Sequence, residues 1–404
     1  MSASSETPLR IALFTHSINP RGGVVHTLEL GKALHEQGHR VTIFAPASTD
    51  DVMFRESPCH VVLARVTAPE RNTVEMVSAR IEALKRAMFD AIGEANGDAF
   101  DIVHAQDSIS GNALAELKHD GAIRGFIRTV HHLDHFDNPQ LAHWQRRAWR
   151  DADRVLCVSE TWTRKMHDVH GVSAQTVSNG VDAARYGAIA SGDGIDTLDT
   201  LGLNGKPLVL AVGGVEARKN TIVLLDAFAE LRREYGDAQL VIAGGASLLD
   251  HNEYARQFVA RAATLGLSIG ANQPVLVTGS LDDAVMPSLF QCADVVAMVS
   301  LREGFGLVVL EALAAGKPVV ASRIEPFTEY LDDDLCYWAD PHDAGSITDA
   351  LTSALSDGRI DFDHAVPALL GRFSWSASAT RHVDLYREWL TSNVGCHSNV
   401  IEEL

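Results

Sequence analysis

Short apolar runs alternate with helical segments along most of this chain, and this alternation limits the folds that the chain can adopt. Apolar runs typical of buried β-strands occur at 10–16, 40–46, 100–106, 126–132, 154–160, 207–214, 239–245, 274–280, 294–300 and 317–323. Helical segments separate them, at 24–37, 74–95, 139–150, 221–235, 252–265, 284–292, 307–315, 344–356 and 376–392. Nearly continuous apolar strands that alternate with helices are typical of parallel sheets covered on both faces. The pattern therefore predicts an α/β protein with doubly wound parallel sheets.

The length of the chain predicts two domains. Its 404 residues exceed the size at which a single hydrophobic core usually stops growing. RIALFTH (10–16) and PLVLAVGG (207–214) are each followed by a loop and a helix, as at the start of a Rossmann-like unit. The stretch 182–207 is rich in Gly, Ala and Asp and reads as a linker. We expect one domain over 1–185, a second over 186–374, and a C-terminal helix and tail over 375–404 that cross back toward the first domain.

Charge and cysteine content argue against several classes of protein. The chain has 34 Lys and Arg against 53 Asp and Glu, a net charge of −19, whereas nucleic-acid binders need a basic face. Five cysteines without a CxxC pair indicate reduced thiols rather than a disulfide framework or a zinc ribbon. No apolar run nears the ~20 residues that span a bilayer, and MSASSETPLR lacks an apolar signal core. We therefore expect a cytoplasmic protein that does not bind nucleic acid.

The segment 300–322 is the strongest candidate for a ligand site. Gly304 and Gly306 follow a strand and precede a helix, so backbone N–H groups there can approach an anion such as phosphate. Glu303 and Glu311 are eight residues apart, one in the loop and one in the helix, and both carboxylates could face one hydroxyl-rich ligand. The alternative is a plain helix entry with a surface Glu and a capping Gly pair.

A second candidate loop follows the strand at 207–214. Gly213 lies near the end of this strand, and Arg218 and Lys219 lie just before the next helix. Cations are disfavoured at a helix N-terminus unless an anion binds there. The pair could therefore neutralise a diphosphate, Arg as a bidentate fork and Lys as a point charge. The alternative is a solvated helix N-terminus.

The segment EGFGLVVLE (303–311), followed by AAGKPVVAS (314–322), resembles the signature of the family 4 retaining glycosyltransferases, which have the two-domain GT-B fold. The resemblance runs from about residue 10 to 385. It implies two Rossmann-like domains that face a cleft, an acceptor-side domain first and a donor domain second. It also implies that Glu303 lies near the donor sugar and Glu311 binds the ribose, while the diphosphate contacts the backbone of Gly304, Phe305, Gly306, Leu307 and Val308.

The resemblance assigns further roles, with one departure. Lys219 matches the Lys of the family's phosphate clamp, but Gly214 stands where the clamp's Arg is expected, so Arg218 would have to supply the charge. His131, after the strand at 126–132, matches a His that positions the donor sugar. Other positions are implied to line the donor site: Gly22, Gly23, Gly213, Gly245, Thr278 and Gly279. SNGVD (178–182) resembles the end of the family's first domain, and the loop at 244–251 follows a strand and could line the donor pocket.

Several polar features have alternative interpretations. The cluster His131, His132, Asp134, His135 and Asp137 could indicate a metal, but the resemblance implies that none is needed. His26 could reach the double-glycine loop, but we expect it on the surface of its helix. The pairs Asp151/Asp153, Asp332/Asp334 and Asp361/Asp363 read as caps or surface charge rather than a metal-binding DxD motif. The run 143–154, with two Trp and four Arg, reads as a solvated helix in preference to a membrane-surface or acidic-acceptor contact.

These observations predict a metal-independent, cofactor-free hexosyltransferase. The resemblance implies transfer from a UDP- or GDP-hexose, as co-substrate, to a small-molecule or glycan acceptor, with retention at the anomeric carbon. Two alternatives are a nucleotide-sugar epimerase on the same fold and a non-catalytic nucleotide-sugar-binding protein. The sequence names neither the donor nor the acceptor, the linkage or the oligomeric state.

Overall fold

The computed structural model describes residues 7–68, 70–95, 99–187, 199–245 and 252–394. The chain divides into two compact units, one formed by 1–179 with 375–404 and the other by 180–374. The first division lies a few residues before the expected boundary at 185/186, because the Val181 N–H donates to the Phe373 carbonyl (2.9 Å) within the second unit. Part of the expected linker, the 246–251 loop and the tail beyond 394 lie outside the described residues.

The first unit is built on a parallel sheet. Its described strands are β1 (Arg10–Phe14), β2 (Arg40–Ala47), β3 (His60–Arg65), β4 (Ile102–Ala105), β5 (Ile127–Val130), β6 (Arg154–Cys157) and β7 (Ala174–Thr176). They lie in the order β3-β2-β1-β4-β5-β6-β7. All neighbouring pairs are parallel, with Leu13 opposite Ile43 on one side and His104 on the other. The central strands are almost fully buried, as expected of apolar runs covered on both faces.

Helices cover both faces of this sheet. They are α1 (Gly22–Glu36), α2 (Thr73–Glu94), α3 (Ser108–His119), α4 (Pro139–Arg150) and α5 (Glu160–His170). The C-terminal helix of the chain packs against α1 in this unit, and Gln37 Nε2 donates to the Ser376 carbonyl at 2.9 Å. Among the described residues, no helix combines the length and apolar character that crossing a membrane requires.

The second unit repeats the same topology. Its described strands are β8 (Leu208–Val212), β9 (Gln239–Ala243), β10 (Val275–Gly279), β11 (Val295–Met298), β12 (Val319–Ser322) and β13 (Tyr337–Ala339). They lie in the order β10-β9-β8-β11-β12-β13, again all parallel. The helices with described bounds are α6 (Ala183–Gly187), α7 (Thr221–Glu234), α8 (Asn252–Thr264), α9 (Met286–Cys292), α10 (Leu307–Ala314), α11 (Ala344–Ser356) and α12 (Ala365–Arg372), and the C-terminal helix is α13 (Trp375–Val394).

Each sheet reverses its strand order at one point, between β1 and β4 in the first unit and between β8 and β11 in the second. In open α/β sheets, ligands bind outside the carboxyl ends of the strands at this switch point. The two strongest candidate loops follow β8 and β11. The prediction of doubly wound parallel sheets is therefore confirmed, and both loops lie where such a sheet binds its ligand.

The sequence patterns did not predict four described helices, α3, α5, α6 and α12, or the edge strands β3, β7 and β13. Helix α5 buries only Thr161, Trp162 and Met166 among its 11 residues, so its apolar periodicity is weak. The buried face of α3 includes Ser110, Gly111 and Asn112, small or polar residues that do not stand out as a hydrophobic stripe. Strands β7 and β13 have only three residues each, and β3 (HVVLAR) is only partly buried.

Candidate functional site

The loop between β8 and α7 brings a lysine across the end of the strand. A Cβ on Gly213 would lie 2.5 Å from Lys219 Cε, so only glycine leaves room for this side chain. Asn220 caps the turn with a positive φ of 61°, and its Nδ2 donates to the carbonyls of Val299 (3.1 Å) and Pro341 (2.6 Å). The buried amide of Asn220 therefore fixes the position of Lys219 relative to the end of β11.

Two cations from this loop converge on one carboxylate. Lys219 Nζ lies 2.9 Å and Arg218 Nη1 3.0 Å from the same oxygen, Oε1 of Glu303. Arg218 Nη2 also lies 3.5 Å from Oε2 of Glu216. The Glu303 side chain is 7% exposed, and those of Lys219 and Arg218 are 11% and 27% exposed. The three predicted residues thus form one charged cluster at the switch point of the second sheet.

Burial and charge act in opposite directions on this cluster. Burial alone would raise the pKa of Glu303, but the charges of Lys219 and Arg218 lower it to about 2. Burial lowers the pKa of Lys219, although the Glu303 carboxylate opposes this shift. An anionic Glu303 therefore explains how two cations remain near each other in a site with little water.

The Gly304–Gly306 turn is held by aromatic packing. The Phe305 ring stacks on Tyr330 with centroids 5.2 Å apart, and the Tyr330 hydroxyl donates to the Phe305 carbonyl at 2.8 Å. Gly306 has a φ of 95° and caps α10, and a Cβ there would overlap the Phe327 ring. Phe305 is buried in the core. It can therefore offer a ligand its backbone but not its side chain.

The first turns of α10 expose three predicted ligand positions. Leu307, Val308 and Glu311 are half-buried, whereas Val309 and Leu310 between them belong to the core. Helix α10 therefore packs one side against the core and leaves the other side partly exposed. The predicted roles of these residues toward a diphosphate and a ribose stay predictions.

The loops after β8, β9 and β10 pack together through glycine backbones. The N–H groups of Gly213 and Gly214 donate to the Ala243 carbonyl at 2.7 and 3.1 Å, and the Gly244 N–H donates to the Gly279 carbonyl at 3.1 Å. A Cβ on Gly214, at a φ of 75°, would lie 2.7 Å from the Gly245 carbonyl oxygen. A side chain has no room at position 214, which gives a physical reason why no Arg stands there.

Two further predicted positions border this glycine cluster. A Cβ on Gly245 would overlap the Ser280 hydroxyl, so the loops after β9 and β10 touch at this glycine. Thr278 Oγ1 donates to the Gly279 carbonyl at 2.7 Å. The carboxyl ends of β8, β9 and β10 thus bring four predicted positions together next to the charged cluster: Gly213, Gly245, Thr278 and Gly279.

In the first unit, Gly23 lies beside two histidines. The position of a Cβ on Gly23 is 4.0 Å from His131 Cδ2 and 4.0 Å from His16 Cε1, whereas nothing lies within 4 Å of the same position on Gly22. His131 follows the end of β5, and His16 follows the end of β1. The structure thus brings the predicted Gly23 and His131 together.

His131 is surrounded by groups that keep it uncharged. Its Nε2 lies 3.4 Å from Gln106 Oε1, and its ring meets His26 edge-on with centroids 4.6 Å apart. Burial first, and then the neighbouring His26 and Arg128, hold the pKa of His131 well below its usual value. A neutral imidazole can exchange hydrogen bonds with a sugar hydroxyl without adding positive charge.

The expected surface position of His26 is wrong. His26 is 0% exposed because its Nδ1 lies 2.8 Å from Asn179 Oδ1 and its ring packs against Trp375 at 5.2 Å between centroids. The helix face that carries His26 is covered by α13. Asn179, from the SNGVD segment, therefore anchors the histidine that touches His131.

Sequence reasoning missed a pair of polar residues in this unit. His16 Nδ1 lies 3.6 Å from Asp107 Oδ2, and both side chains are about one-sixth exposed, at 15% and 16%. The available signal was position, because His16 ends the predicted strand at 10–16 and Asp107 directly follows the predicted strand at 100–106. Neither residue belongs to a glycine motif, and the two are far apart in the sequence.

The candidate metal ligands form separate pairs. His132 Nε2 lies 3.4 Å from Asp134 Oδ2, and His135 Nε2 lies 3.3 Å from Asp137 Oδ1 on the exposed surface. Within the part of the chain that the structure describes, no group of three or more His, Cys, Asp or Glu could hold a metal ion. Of the Asp pairs, Asp151 caps the end of α4 and Asp361 accepts N–H groups in its own turn.

Two family profiles match this chain. Residues 20–185 match the profile described as Glycosyltransferase Family 4. Residues 199–365 match the profile described as Glycosyl transferases group 1. The first match includes Gly22, Gly23 and His131, and the second includes the charged cluster of Arg218, Lys219 and Glu303. Together they cover both units.

Curated relatives and solved structures agree with these matches. The chain is 27% identical over 380 residues to a phosphatidyl-myo-inositol mannosyltransferase of Mycolicibacterium smegmatis, covering 92% of this chain and 91% of that protein. It is 27% identical over 402 residues to a D-inositol 3-phosphate glycosyltransferase of Xylanimonas cellulosilytica, covering 91% and 92%.

Two solved structures share the fold over nearly the whole chain. Anabaena HepE in complex with UDP and glucose superposes with a TM-score of 0.76 at 18% identity, covering 94% of this chain and 100% of that one. Sucrose-phosphate synthase of Thermosynechococcus elongatus gives 0.72 at 21% identity, covering 95% and 99%. The fold, both profile matches and these relatives lead to one conclusion: the chain belongs to the family 4 glycosyltransferases with the GT-B fold and is a hexosyltransferase.

Proposed function

We propose that this glycosyltransferase uses a nucleoside diphosphate sugar, a UDP- or GDP-hexose, and retains the configuration of the anomeric carbon. The observation that carries the proposal is the convergence of Arg218 and Lys219 on Glu303 at the switch point of the second sheet. Such a site can bind a diphosphate through its two cations and contact a sugar through its carboxylate.

The cations can serve both Glu303 and a diphosphate. A lysine ammonium has three N–H donors and an arginine guanidinium has five, and the contacts to Glu303 Oε1 use one from each. Burial strengthens the electrostatic interactions of these cations relative to water, since the local dielectric constant is low. Negative charge that develops on the leaving diphosphate is therefore stabilised by charges already in place.

The same charges make a metal ion unnecessary in this proposal. In metal-dependent transferases, a divalent cation neutralises the diphosphate. Here Arg218 and Lys219 would do so, together with backbone N–H groups at the start of α10. We therefore propose that transfer proceeds without a divalent cation or another cofactor.

The reaction breaks one bond and forms another at the same carbon. The bond from the anomeric carbon to the diphosphate oxygen breaks, and the acceptor hydroxyl oxygen forms the new bond from the same face. The hydroxyl proton passes to the departing diphosphate, so no side chain is needed as the base. We propose that Glu303 and the neutral His131 orient the sugar hydroxyls and that Glu311 binds the ribose.

The proposal for the acceptor starts from the substrates named for two relatives. The two relatives named above are described as acting on phosphatidyl-myo-inositol and on D-inositol 3-phosphate. A polyol that carries phosphate is therefore the first acceptor to test. This proposal for the acceptor does not depend on the identity of the donor.

A donor panel tests the proposal. UDP-, GDP- and ADP-hexoses are incubated with the protein, and release of the nucleoside diphosphate is measured with and without EDTA. We expect release from a UDP- or GDP-hexose that EDTA leaves unchanged, and an increase in melting temperature with the same nucleotide. Turnover that EDTA abolishes would refute metal independence. No turnover with any donor would refute the proposed function.

A further inference from the structure

The two units place pairs of ionisable residues at equivalent positions. In the second unit, Lys219 follows the first strand of the sheet (β8) and Glu303 follows the fourth (β11). In the first unit, His16 follows β1 and Asp107 follows β4. Both pairs thus face each other across the switch point of their own sheet, where α/β sheets bind ligands.

Buried polar atoms surround the His16–Asp107 pair. His16 Nδ1, Asp107 Oδ2, and Nε and Nη1 of Arg128 are buried and have no hydrogen-bond partner among the described residues. The other carboxylate oxygen of Asp107 accepts the Ser110 N–H at 2.9 Å as the N-cap of α3. Burial would raise the pKa of Asp107, but His16 and Arg128 lower it. The carboxylate is therefore anionic and fixed in place.

An anionic Asp107 determines which nitrogen of His16 carries the proton. The carboxylate only accepts hydrogen bonds, so it favours the tautomer with the proton on Nδ1. Nε2 is then left with a lone pair that can accept a hydrogen bond. The Nδ1–Oδ2 distance of 3.6 Å is slightly longer than a hydrogen bond, so the carboxylate acts on the His16 ring mainly through its charge.

We propose that His16, oriented by Asp107, binds the acceptor by accepting a hydrogen bond from a hydroxyl group next to the reacting one, whose own proton goes to the diphosphate. The inference rests on the proposed function and adds a residue on the acceptor side. Asp107 is a positioning residue, since it acts through His16. Gly23 keeps the space between His16 and His131 free of a side chain, so that a hydroxyl group can enter there.

Partitioning of the donor sugar between glycerol and water tests this inference. The protein is given a donor that it turns over and a high concentration of glycerol, and the ratio of glycosylglycerol to free hexose is measured. Because one neutral hydrogen bond is lost, His16→Ala should lower this ratio about tenfold. His16→Gln, which keeps an acceptor atom, should recover most of it, and the donor KM should stay within about twofold in both.

Two variants separate orientation from folding. Asp107→Asn keeps an N-cap residue for α3 but removes the charge, and it should lower the ratio in the same direction as His16→Ala. Ser110→Ala removes the hydroxyl that accepts the Asp107 N–H but keeps the charge of Asp107, and it should leave the ratio unchanged even if it lowers the melting temperature. His60→Ala, at the exposed start of β3, serves as a distant histidine control.

The outcomes distinguish this inference from the proposed function. Nucleoside diphosphate release by the wild type supports the proposed function whatever happens at His16. An equal product ratio in the wild type and His16→Ala, including no glycosylglycerol in either, would overturn the role of His16. A fall in ratio that His16→Gln does not recover would also overturn it, because a lost hydrogen bond would then not be the cause.

Discussion

Lys219 Nζ and Glu303 Oε1 lie 2.9 Å apart at the switch point of the second sheet. The pair joins the loop after β8 to the loop after β11, and Arg218 reaches the same oxygen at 3.0 Å. Glu303 therefore holds both cations in place before any ligand arrives. Preorganised charge of this kind contributes more to the transition state than charge that must first be assembled.

Replacing Glu303 with Gln should separate catalysis from binding. The amide keeps the size of the side chain but loses the charge that orients Lys219 and Arg218, so we expect kcat to fall by about 10²–10³. The matched variant Glu311→Gln, in α10, should instead raise the donor KM and change kcat little. Steady-state kinetics with the donor varied would check both. Equal kcat values in the wild type and Glu303→Gln would contradict the assignment.

Arg218 should carry the charge that a side chain at position 214 cannot supply. Arg218→Ala is expected to lower kcat/KM for the donor at least tenfold, about 1.4 kcal/mol of transition-state stabilisation. Arg218→Lys should recover part of this loss, since it restores a point charge but not the fork. Arg372→Ala, which alters a cation that packs on Phe373, is the control. Unchanged kcat/KM in Arg218→Ala would show that Lys219 suffices.

Restoring the family arginine should not restore a clamp. Gly214→Arg places a side chain where φ is 75° and the Gly245 carbonyl oxygen is 2.7 Å from the new Cβ. We expect the free energy of unfolding to fall by about 1–3 kcal/mol and the donor affinity to fall as well. Chemical denaturation and UDP titration would measure these two effects. A stable variant with tighter UDP binding would contradict the packing argument.

Acid should destabilise the first unit through its buried histidines. Burial is the main cause that lowers the pKa of His26 from 6.5 to about 3 and that of His382 from 6.5 to about 4. Because both folded pKa values lie below the unfolded value, stability is complete above pH 6.5 and is lost as the pH falls below it. At one pH unit below 6.5, the two groups together should cost about 2–3 kcal/mol.

Urea denaturation at three pH values spanning this range would measure the loss. His26→Gln should make the dependence on pH shallower, because one of the titrating groups is removed. The exposed His60→Ala should leave the slope unchanged. A wild-type protein whose stability is constant across this range would contradict the burial of neutral histidines.

The sequence predicted the sheets and the charged loops but not the contacts that turn the loops into sites. Apolar runs such as LVLAV in β8 predict buried strands directly. The segment EGFGLVVLE has its glycines and carboxylates at a recognisable spacing. That Arg218 and Lys219 share one Glu303 oxygen depends on Asn220 and on the absence of a Cβ at Gly213. Such long-range packing has no local signal.

His26 and His16 show two different limits of sequence reasoning. A histidine on a helix next to a glycine loop reads as polar surface, yet α13, which comes from the far end of the chain, covers His26. His16 was overlooked because its partner, Asp107, is 91 residues away. Comparing the residues after the first and fourth strands of each sheet would have found the pair.

The anomeric configuration of the product, measured together with nucleoside diphosphate release, tests the central claim most directly. Proton NMR of a reaction with an α-linked UDP- or GDP-hexose gives both quantities. The account predicts one nucleoside diphosphate released per sugar transferred, with an α-linked product. A β-linked product, or sugar transfer without release of the nucleoside diphosphate, would contradict it.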